Sequence, residues 1–169
     1  QLVSKGMGGL MLTARPEFGG ARSREAQPLE ATFPMLRDRQ NDQGGFGLWS
    51  SSPATAEFPT VYAAHALVEA KERDQRIPPE VLAAVNGWLT RFATTPASNL
   101  AEGRLRAYAV YILVRQGIKP DAAIANVEQE LTRRYPQTWP TDLAAAYLAS
   151  TYRLMQRTND ADRIVNLVP

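Results

Sequence analysis

Apolar residues recur at helical spacing along almost the whole chain. The segment from Thr60 to about Asp74 shows the pattern most clearly, with a stripe formed by Val61, Ala64, Leu67 and Val68,. Similar stripes predict helices at about 2–13, 23–40, 79–92, 99–116, 120–131 and 143–157, with one more short helix in 160–169. No segment carries a convincing strand pattern. The sequence therefore predicts an all-α fold of seven or eight helices joined by short loops.

Residues at several predicted helix ends agree with this division. Pro79 and Glu80 place a proline and an acid in a first turn, and Asn99 with Glu102 has the spacing of a capping box,. Gly117 follows a predicted helix where a left-handed residue commonly ends one. Pro34 predicts a kink or a break within the segment 23–40.

A weak internal repeat organises the helices into pairs. The segments 62–68, 108–114 and 144–148 can be aligned so that His65, Tyr111 and Tyr147 occupy matching positions, 46 and then 36 residues apart,. Alternate helices are therefore expected to be equivalent: inner ones rich in alanine and tyrosine, with outer ones between them. The period alone leaves open whether the pairs stack as a superhelix or close toward a toroid.

A glycine-aromatic segment, Gln43 to Trp49, interrupts the helical pattern. Its three glycines, Gly44, Gly45 and Gly47, permit positive φ or very close approach of another backbone segment,. Phe46 and Trp49 are large aromatics of the kind that proteins bury, so we expect both to anchor a tight connection between helices. This motif resembles the helix-pair repeats of α/α toroids, a group that includes terpene cyclases, prenyltransferase β subunits and thioester domains.

Composition excludes several classes of function. The chain has 169 residues, enough for one domain with a real core, and no apolar run as long as a membrane span,. Its 19 basic and 17 acidic residues leave a charge of +2, which favours neither a nucleic-acid nor an anionic-membrane partner,. The absence of cysteine excludes disulfides, thiolate metal sites and a cysteine nucleophile within these residues,.

Candidate chemistry is sparse. His65 is the only histidine, and no carboxylates stand at a recognisable metal-ligand spacing from it, so we interpret it as a packing residue with one polar tip,. We predict a solvated helix end where three acids are mixed with basic residues, namely Glu69, Glu72 and Asp74. Trp49, Trp88 and Trp139 are interpreted as core anchors. No cofactor, metal site or catalytic residue is predicted, so the chain does not read as a self-contained enzyme.

The order of the segments resembles the thioester-domain region of bacterial alpha-2-macroglobulins. The resemblance runs over nearly the whole chain and rests on residues 1–4, 15–19, 39–49, 62–71, 106–111 and 142–148. In that family a Cys-x-Glu-Gln motif forms an internal thioester between Cys and Gln. The resemblance places that glutamine at Gln1, with the cysteine three residues upstream, outside this chain.

The resemblance implies a partner and a location. Members of that family are large periplasmic protease traps, often tethered to the membrane. In them, cleavage of a bait region exposes the thioester to nucleophiles of the protease. The expected partners are target proteases and other domains of the same parent protein. No nucleic-acid partner is expected. Contact with a membrane is expected only through an anchor of the parent protein.

The resemblance also implies that the chain is incomplete. Residues 1–169 would form the leading part of a larger toroid domain, with 158–169 peripheral to it. A chain that begins at Gln1 suggests processing or excision, and self-cleavage at a thioester would leave pyroglutamate there. Two other hypotheses for the function remain open at this point. One is an α/α-toroid enzyme of the cyclase or transferase type, and the other is a helical-repeat scaffold that binds peptides. A Cys-x-Glu sequence directly upstream would favour the thioester reading.

Overall fold

The computed structural model describes residues 32–167, which contain seven α-helices and a short 3-10 helix. The α-helices are α1 (Phe33–Arg37), α2 (Glu57–Glu72), α3 (Pro79–Thr94), α4 (Leu100–Arg115), α5 (Asp121–Arg134), α6 (Leu143–Leu154) and α7 (Thr158–Val165), and the 3-10 helix is Trp139–Thr141. Within these residues there is no strand, only an isolated antiparallel bridge between Gln40 and Phe46. The all-α prediction is confirmed. The helix predicted at 2–13, the start of the one predicted at 23–40 and the thioester position Gln1 lie outside the described residues.

Helix boundaries follow the local signals closely. Pro79 is the first residue of α3, as predicted. The Asn99 side chain accepts a hydrogen bond from the Glu102 backbone nitrogen at 2.9 Å, and the Glu102 carboxylate accepts one from the backbone nitrogen of Ser98, the residue before the N-cap, at 2.8 Å. A variant of the capping box therefore starts α4. Gly117 follows α4 at φ +79°. These ends were predictable because each depends on residues adjacent in sequence.

One boundary differs from the prediction because of proline. Helix α2 begins at Glu57 rather than Thr60, since Pro59 lies in its first turn, where a missing backbone N–H removes no helical hydrogen bond,. Pro34 lies at the second position of the short helix α1, Phe33–Arg37. This position agrees with the break that was one of the two outcomes predicted for Pro34.

The chain folds as two compact units that divide between Val85 and Asn86. In the first unit, α2 buries alanine, valine and leucine around almost its whole circumference, at Val61, Ala63, Ala64, Ala66, Leu67, Val68 and Ala70. A helix that is apolar all round is a buried helix. This is the character that the repeat predicts for an inner helix.

In the second unit, α4 has the same character and packs against α5 and α6. Tyr108 of α4 stacks on Tyr147 of α6 with ring centroids 4.6 Å apart. Helix α5 buries only one face, formed by Ala123, Ile124, Val127 and Leu131, as expected of an outer helix,. Among the described residues, no helix is both long and apolar enough to cross a membrane.

Candidate functional site

Asn41 organises the connection between α1 and α2. Its side-chain oxygen accepts hydrogen bonds from the backbone nitrogens of Gln43 and Gly45 at 3.1 and 3.2 Å. Its side-chain nitrogen donates to the hydroxyl of Thr55 at 2.8 Å and to the carbonyl of Pro53 at 3.1 Å. One asparagine thus ties the glycine segment to the start of α2. Sequence reasoning missed Asn41, although an asparagine side chain in a turn commonly accepts a hydrogen bond from the backbone two residues on.

Gly44 is the position where glycine is indispensable. Its φ is +84°, and a Cβ placed there would lie 2.2 Å from the backbone oxygen of Ala84 in α3. The Gln40 side chain strengthens this approach, because its nitrogen donates to the carbonyls of Gly44 and Val81, both at 3.0 Å. The predicted close passage of two backbones is present here.

Gly45 and Gly47 also leave no room for a side chain. A Cβ at Gly45 would lie 2.4 Å from a methyl carbon of Thr55, and one at Gly47 would lie 2.5 Å from Cβ of Ser52. The loop therefore needs all three glycines of the motif for packing.

Phe46 is the buried anchor of the loop. Its side chain is 3% exposed, as predicted, and its backbone nitrogen donates to the hydroxyl of Thr60 at 2.9 Å. The Thr60 hydroxyl is itself fully buried and also bonds to the carbonyls of Phe46 and Ala56. The backbone N–H of the buried Phe46 thus has a hydrogen-bond partner in α2,. The role of Thr60 could not be read from the sequence.

Trp49 corrects the prediction of a second buried anchor. Its side chain is 75% exposed, and that of the preceding Leu48 is 59% exposed. The chain turns at this point, where Ser51 adopts φ +58° and donates its backbone N–H to the Asp38 carbonyl, and the turn leaves the indole at the surface. Trp88 and Trp139 are buried, so the interpretation of core anchors is confirmed for these two and wrong for Trp49.

His65 lies on α2 one turn before Glu69. Its Nε2 is 3.2 Å from Oε1 of Glu69, whose other oxygen accepts a hydrogen bond from the Arg73 guanidinium. Glu69 is only 8% exposed, so the prediction of a solvated end is wrong for this residue: its carboxylate is held between a cation and an imidazole,. These contacts agree with a packing role for His65.

The side chains of residues 32–167 do not form a metal centre of recognisable type. No group of three or more His, Asp or Glu side chains gathers in a metal-binding arrangement within residues 32–167. Local contacts and burial explain the shifted pKa values. Burial raises the pKa of Tyr147, and the hydrogen bonds from the Arg104 guanidinium lower the pKa of Asp142. The loop is a hydrogen-bonded connection that leaves Leu48 and Trp49 exposed to solvent.

Comparison with known proteins identifies close sequence relatives. The chain is 36% identical over 167 residues to an alpha-2-macroglobulin homolog of Yersinia pestis, and 30% identical over 171 residues to an alpha-2-macroglobulin of Rickettsia conorii. Each match covers 98% of this chain. The chain spans only 8% and 9% of the lengths of these two relatives. No family model matches the chain.

Solved structures agree on the fold. A Salmonella alpha-2-macroglobulin mutant, Y1175G, aligns with a TM-score of 0.79 at 21% identity, over 99% of this chain and 12% of that one. The Salmonella protein reacted with methylamine aligns with a TM-score of 0.75 at 22% identity, over 98% and 11%. A trypsin-activated Escherichia coli alpha-2-macroglobulin aligns with 0.69 at 21% identity, over 83% and 10%.

These likenesses confirm the fold class, helix-pair repeats that form part of an α/α toroid. The sequence matches extend over nearly all of the chain and agree in the protein that they name. The chain belongs to the bacterial alpha-2-macroglobulin family.

Proposed function

We propose that this chain is the leading part of the thioester-bearing helical domain of a bacterial protease trap, an inhibitor rather than an enzyme. The observation that carries the proposal is the 36% identity to the Yersinia homolog over almost the whole chain. Residues 1–169 would form a partial toroid domain, with 158–169 peripheral to it. Gln1 would supply the acyl half of the thioester, and a cysteine three residues upstream would supply the sulfur.

The proposed chemistry is acyl transfer to a nucleophile of the protease. An amine attacks the side-chain carbonyl carbon at Gln1, an amide C–N bond forms, and the C–S bond breaks. The sulfur leaves as a thiolate and takes up the proton that the amine loses. Thiolates are good leaving groups because a free thiol has a pKa of about 8.5. The Salmonella structural neighbour was solved after reaction with methylamine, a small amine of the kind that such a bond would accept.

Two partner classes follow from the proposal. Target proteases are the first, supported by the trypsin-activated state of the Escherichia coli structural neighbour. Other domains of the same parent protein are the second, because the relatives are many times longer than this chain. Leu48 and Trp49, exposed on a well-bonded loop, are apolar surface suited to such a contact,. The proposed location is the periplasm, with any membrane contact made through an anchor of the parent. No cofactor is needed for this acyl transfer.

The full-length gene product tests the proposal. We expect it to incorporate a single methylamine per chain, to release a single free thiol as it does so, and to form covalent adducts with trypsin after cleavage. Gln1→Ala should abolish all three. Gln137→Ala, at an exposed glutamine before the 3-10 helix, is the matched control and should change none of them.

Two results would contradict the proposal. Methylamine incorporation that persists in Gln1→Ala would remove this residue from the reaction. Trypsin inhibition without any released thiol, in a protein that is cleaved normally, would remove the thioester itself.

A further inference from the structure

Asn86 and Gly87 form an Asn-Gly pair near the middle of helix α3. The chain contains six asparagines, at positions 41, 86, 99, 126, 159 and 166, and only Asn86 is followed by glycine. Asparagine is a thermolabile residue, and it loses its side-chain amide most readily before glycine, because no Cβ then shields the next backbone nitrogen. The sequence therefore places a reactive dipeptide in an element where glycine is otherwise disfavoured.

Close packing does not explain the glycine at position 87. A Cβ built on Gly87 would approach a terminal nitrogen of Arg91 at 3.6 Å, which is an ordinary van der Waals contact. Gly103 of α4 differs, because a Cβ there would lie 2.8 Å from a methyl carbon of Leu131. Within the described part of the chain, Gly103 is thus needed for packing and Gly87 is not.

The side-chain amide of Asn86 is held by a second amide, that of Gln116 at the C-cap of α4. Asn86 Nδ2 donates to Gln116 Oε1 at 2.9 Å, and Gln116 Nε2 donates back to Asn86 Oδ1 at 2.8 Å. Asn86 itself is half-buried. The Asn86 carboxamide cannot turn toward the Gly87 nitrogen without breaking both of these hydrogen bonds.

We propose that Asn86 is a site of spontaneous deamidation whose rate is set by its amide pair with Gln116. The reaction proceeds when α3 opens locally, because a helical backbone N–H is otherwise bonded to the carbonyl four residues earlier. The Gly87 nitrogen attacks the side-chain carbonyl carbon of Asn86, a new C–N bond closes a five-membered imide, and the old C–N bond breaks. Ammonia leaves with the proton from the Gly87 nitrogen. Water then opens the imide to aspartate or isoaspartate.

Either product would weaken α3. Aspartate at position 86 carries acceptors only, so the reciprocal pair with Gln116 is lost. Isoaspartate adds a methylene group to the main chain, which interrupts the regular hydrogen bonding of the helix. The flanking Val85 and Trp88 are buried, and the division between the two compact units falls between Val85 and Asn86. The modification would therefore displace core side chains in the helix that contains this division.

Deamidation of the folded, full-length protein tests the inference. Samples kept under native conditions at mildly alkaline pH would be digested, and aspartate and isoaspartate at position 86 would be measured by peptide mass spectrometry. Gln116→Ala should raise the initial rate of conversion at Asn86 at least about tenfold, because loss of both hydrogen bonds raises the open population. Gln129→Ala, at an exposed glutamine of α5, is the matched control and should leave the rate unchanged.

Three further measurements separate the amide pair from other causes. In urea, where the pair is absent, the wild type and Gln116→Ala should convert Asn86 at the same rate. Asn126 of α5 is exposed and followed by valine, so its conversion should be the same in both folded proteins. Adding Gly87→Ala to Gln116→Ala should suppress conversion of Asn86, because the new methyl group hinders the attacking nitrogen.

A milder variant covers the case in which Gln116→Ala is not recovered as folded protein. Gln116→Glu removes the donor to Asn86 and keeps the acceptor, so it should give a smaller increase in the same direction. Equal rates at Asn86 in the folded wild type and the folded variant would overturn the inference. A rise that appears equally at Asn126 would also overturn it, since general unfolding would then be the cause. None of these measurements depends on the proposed thioester.

Discussion

Arg104 of α4 and Asp142 at the start of α6 form a two-pronged ion pair. The guanidinium donates from Nε to Oδ1 at 2.7 Å and from its terminal NH2 group to Oδ2 at 2.5 Å. Asp142 Oδ1 also accepts a hydrogen bond from the Ala144 backbone nitrogen at 2.9 Å. A single carboxylate therefore caps α6 and ties it to the neighbouring inner helix.

This ion pair should make stability fall in acid. The hydrogen bonds from Arg104 hold the pKa of Asp142 below its ordinary value of 3.8. A carboxyl group whose pKa is lower in the folded state contributes stability above its unfolded-state pKa and loses it as the pH falls through the folded-state pKa. Urea unfolding of the wild-type chain should therefore give a free energy that declines below about pH 4.

Asp142→Asn and Arg104→Ala should each flatten this decline, because each removes the charge interaction. Asparagine also caps helices well, so the cost of Asp142→Asn at neutral pH should be limited to about 1 kcal/mol. If the unfolding free energy of Asp142→Asn falls below about pH 4 as steeply as that of the wild type, the ion pair does not control stability in acid.

Gly44→Ala should be far more damaging than Gly117→Ala. Both glycines have positive φ, which costs an L-residue roughly 1–2 kcal/mol,. A Cβ at Gly44 would in addition meet the Ala84 carbonyl oxygen, whereas one at Gly117 would meet no atom within 4 Å. We expect a loss of more than about 3 kcal/mol for Gly44→Ala and about 1 kcal/mol for Gly117→Ala, measured by denaturant unfolding. Equal losses would mean that φ alone sets the requirement for glycine.

Trp49→Ala and Trp139→Ala should differ strongly in their effect on the free energy of unfolding. Trp139 is 1% exposed, and truncating a buried tryptophan typically costs about 3–5 kcal/mol,. The indole of Trp49 is mostly in solvent, so Trp49→Ala should change the unfolding free energy of the chain by less than about 0.5 kcal/mol,. Denaturant melts that fail to distinguish the two variants would restore the original expectation that Trp49 is an anchor.

His65→Tyr should be tolerated. Tyrosine is the residue at the two matching positions of the repeat, and the His65 side chain is 19% exposed, which leaves its tip access to solvent. The unfolding free energy should change by no more than about 1.5 kcal/mol, and protease trapping by the full-length protein should be unchanged. Ala64→Tyr, at a completely buried neighbouring position, is the control and should cost clearly more, because the core there has no room,. Loss of covalent trapping in a stably folded His65→Tyr protein would assign His65 a chemical role.

The helices and their ends were predictable from the sequence because the forces that set them act between neighbours in the chain. Apolar spacing selected the helical segments, and Pro79, Asn99 and Gly117 marked three of their ends. The internal repeat predicted three inner helices, and two of them, α2 and α4, are buried almost all round. The third, α6, leaves Leu143 and Ala146 exposed. The glycine motif predicted a close passage of backbone, and Gly44 makes one with Ala84.

The candidate site depended on contacts that spacing does not reveal. Trp49 and Trp139 are the same residue type beside similar turn signals, yet one is exposed and the other is buried. Glu69 belongs to a run of charges, but its position on an inner helix removes it from solvent. Thr60, which bonds to the loop backbone, was missed because its partner Phe46 lies 14 positions away.

The sequence by itself therefore determined the helical segments within residues 32–167 and the family. The tertiary structure decided which side chains are buried, which are paired and which remain exposed. The physical reason is that helix formation depends on side chains within about one turn. Burial depends instead on which distant segments pack against a residue, and that is decided only when the chain has folded.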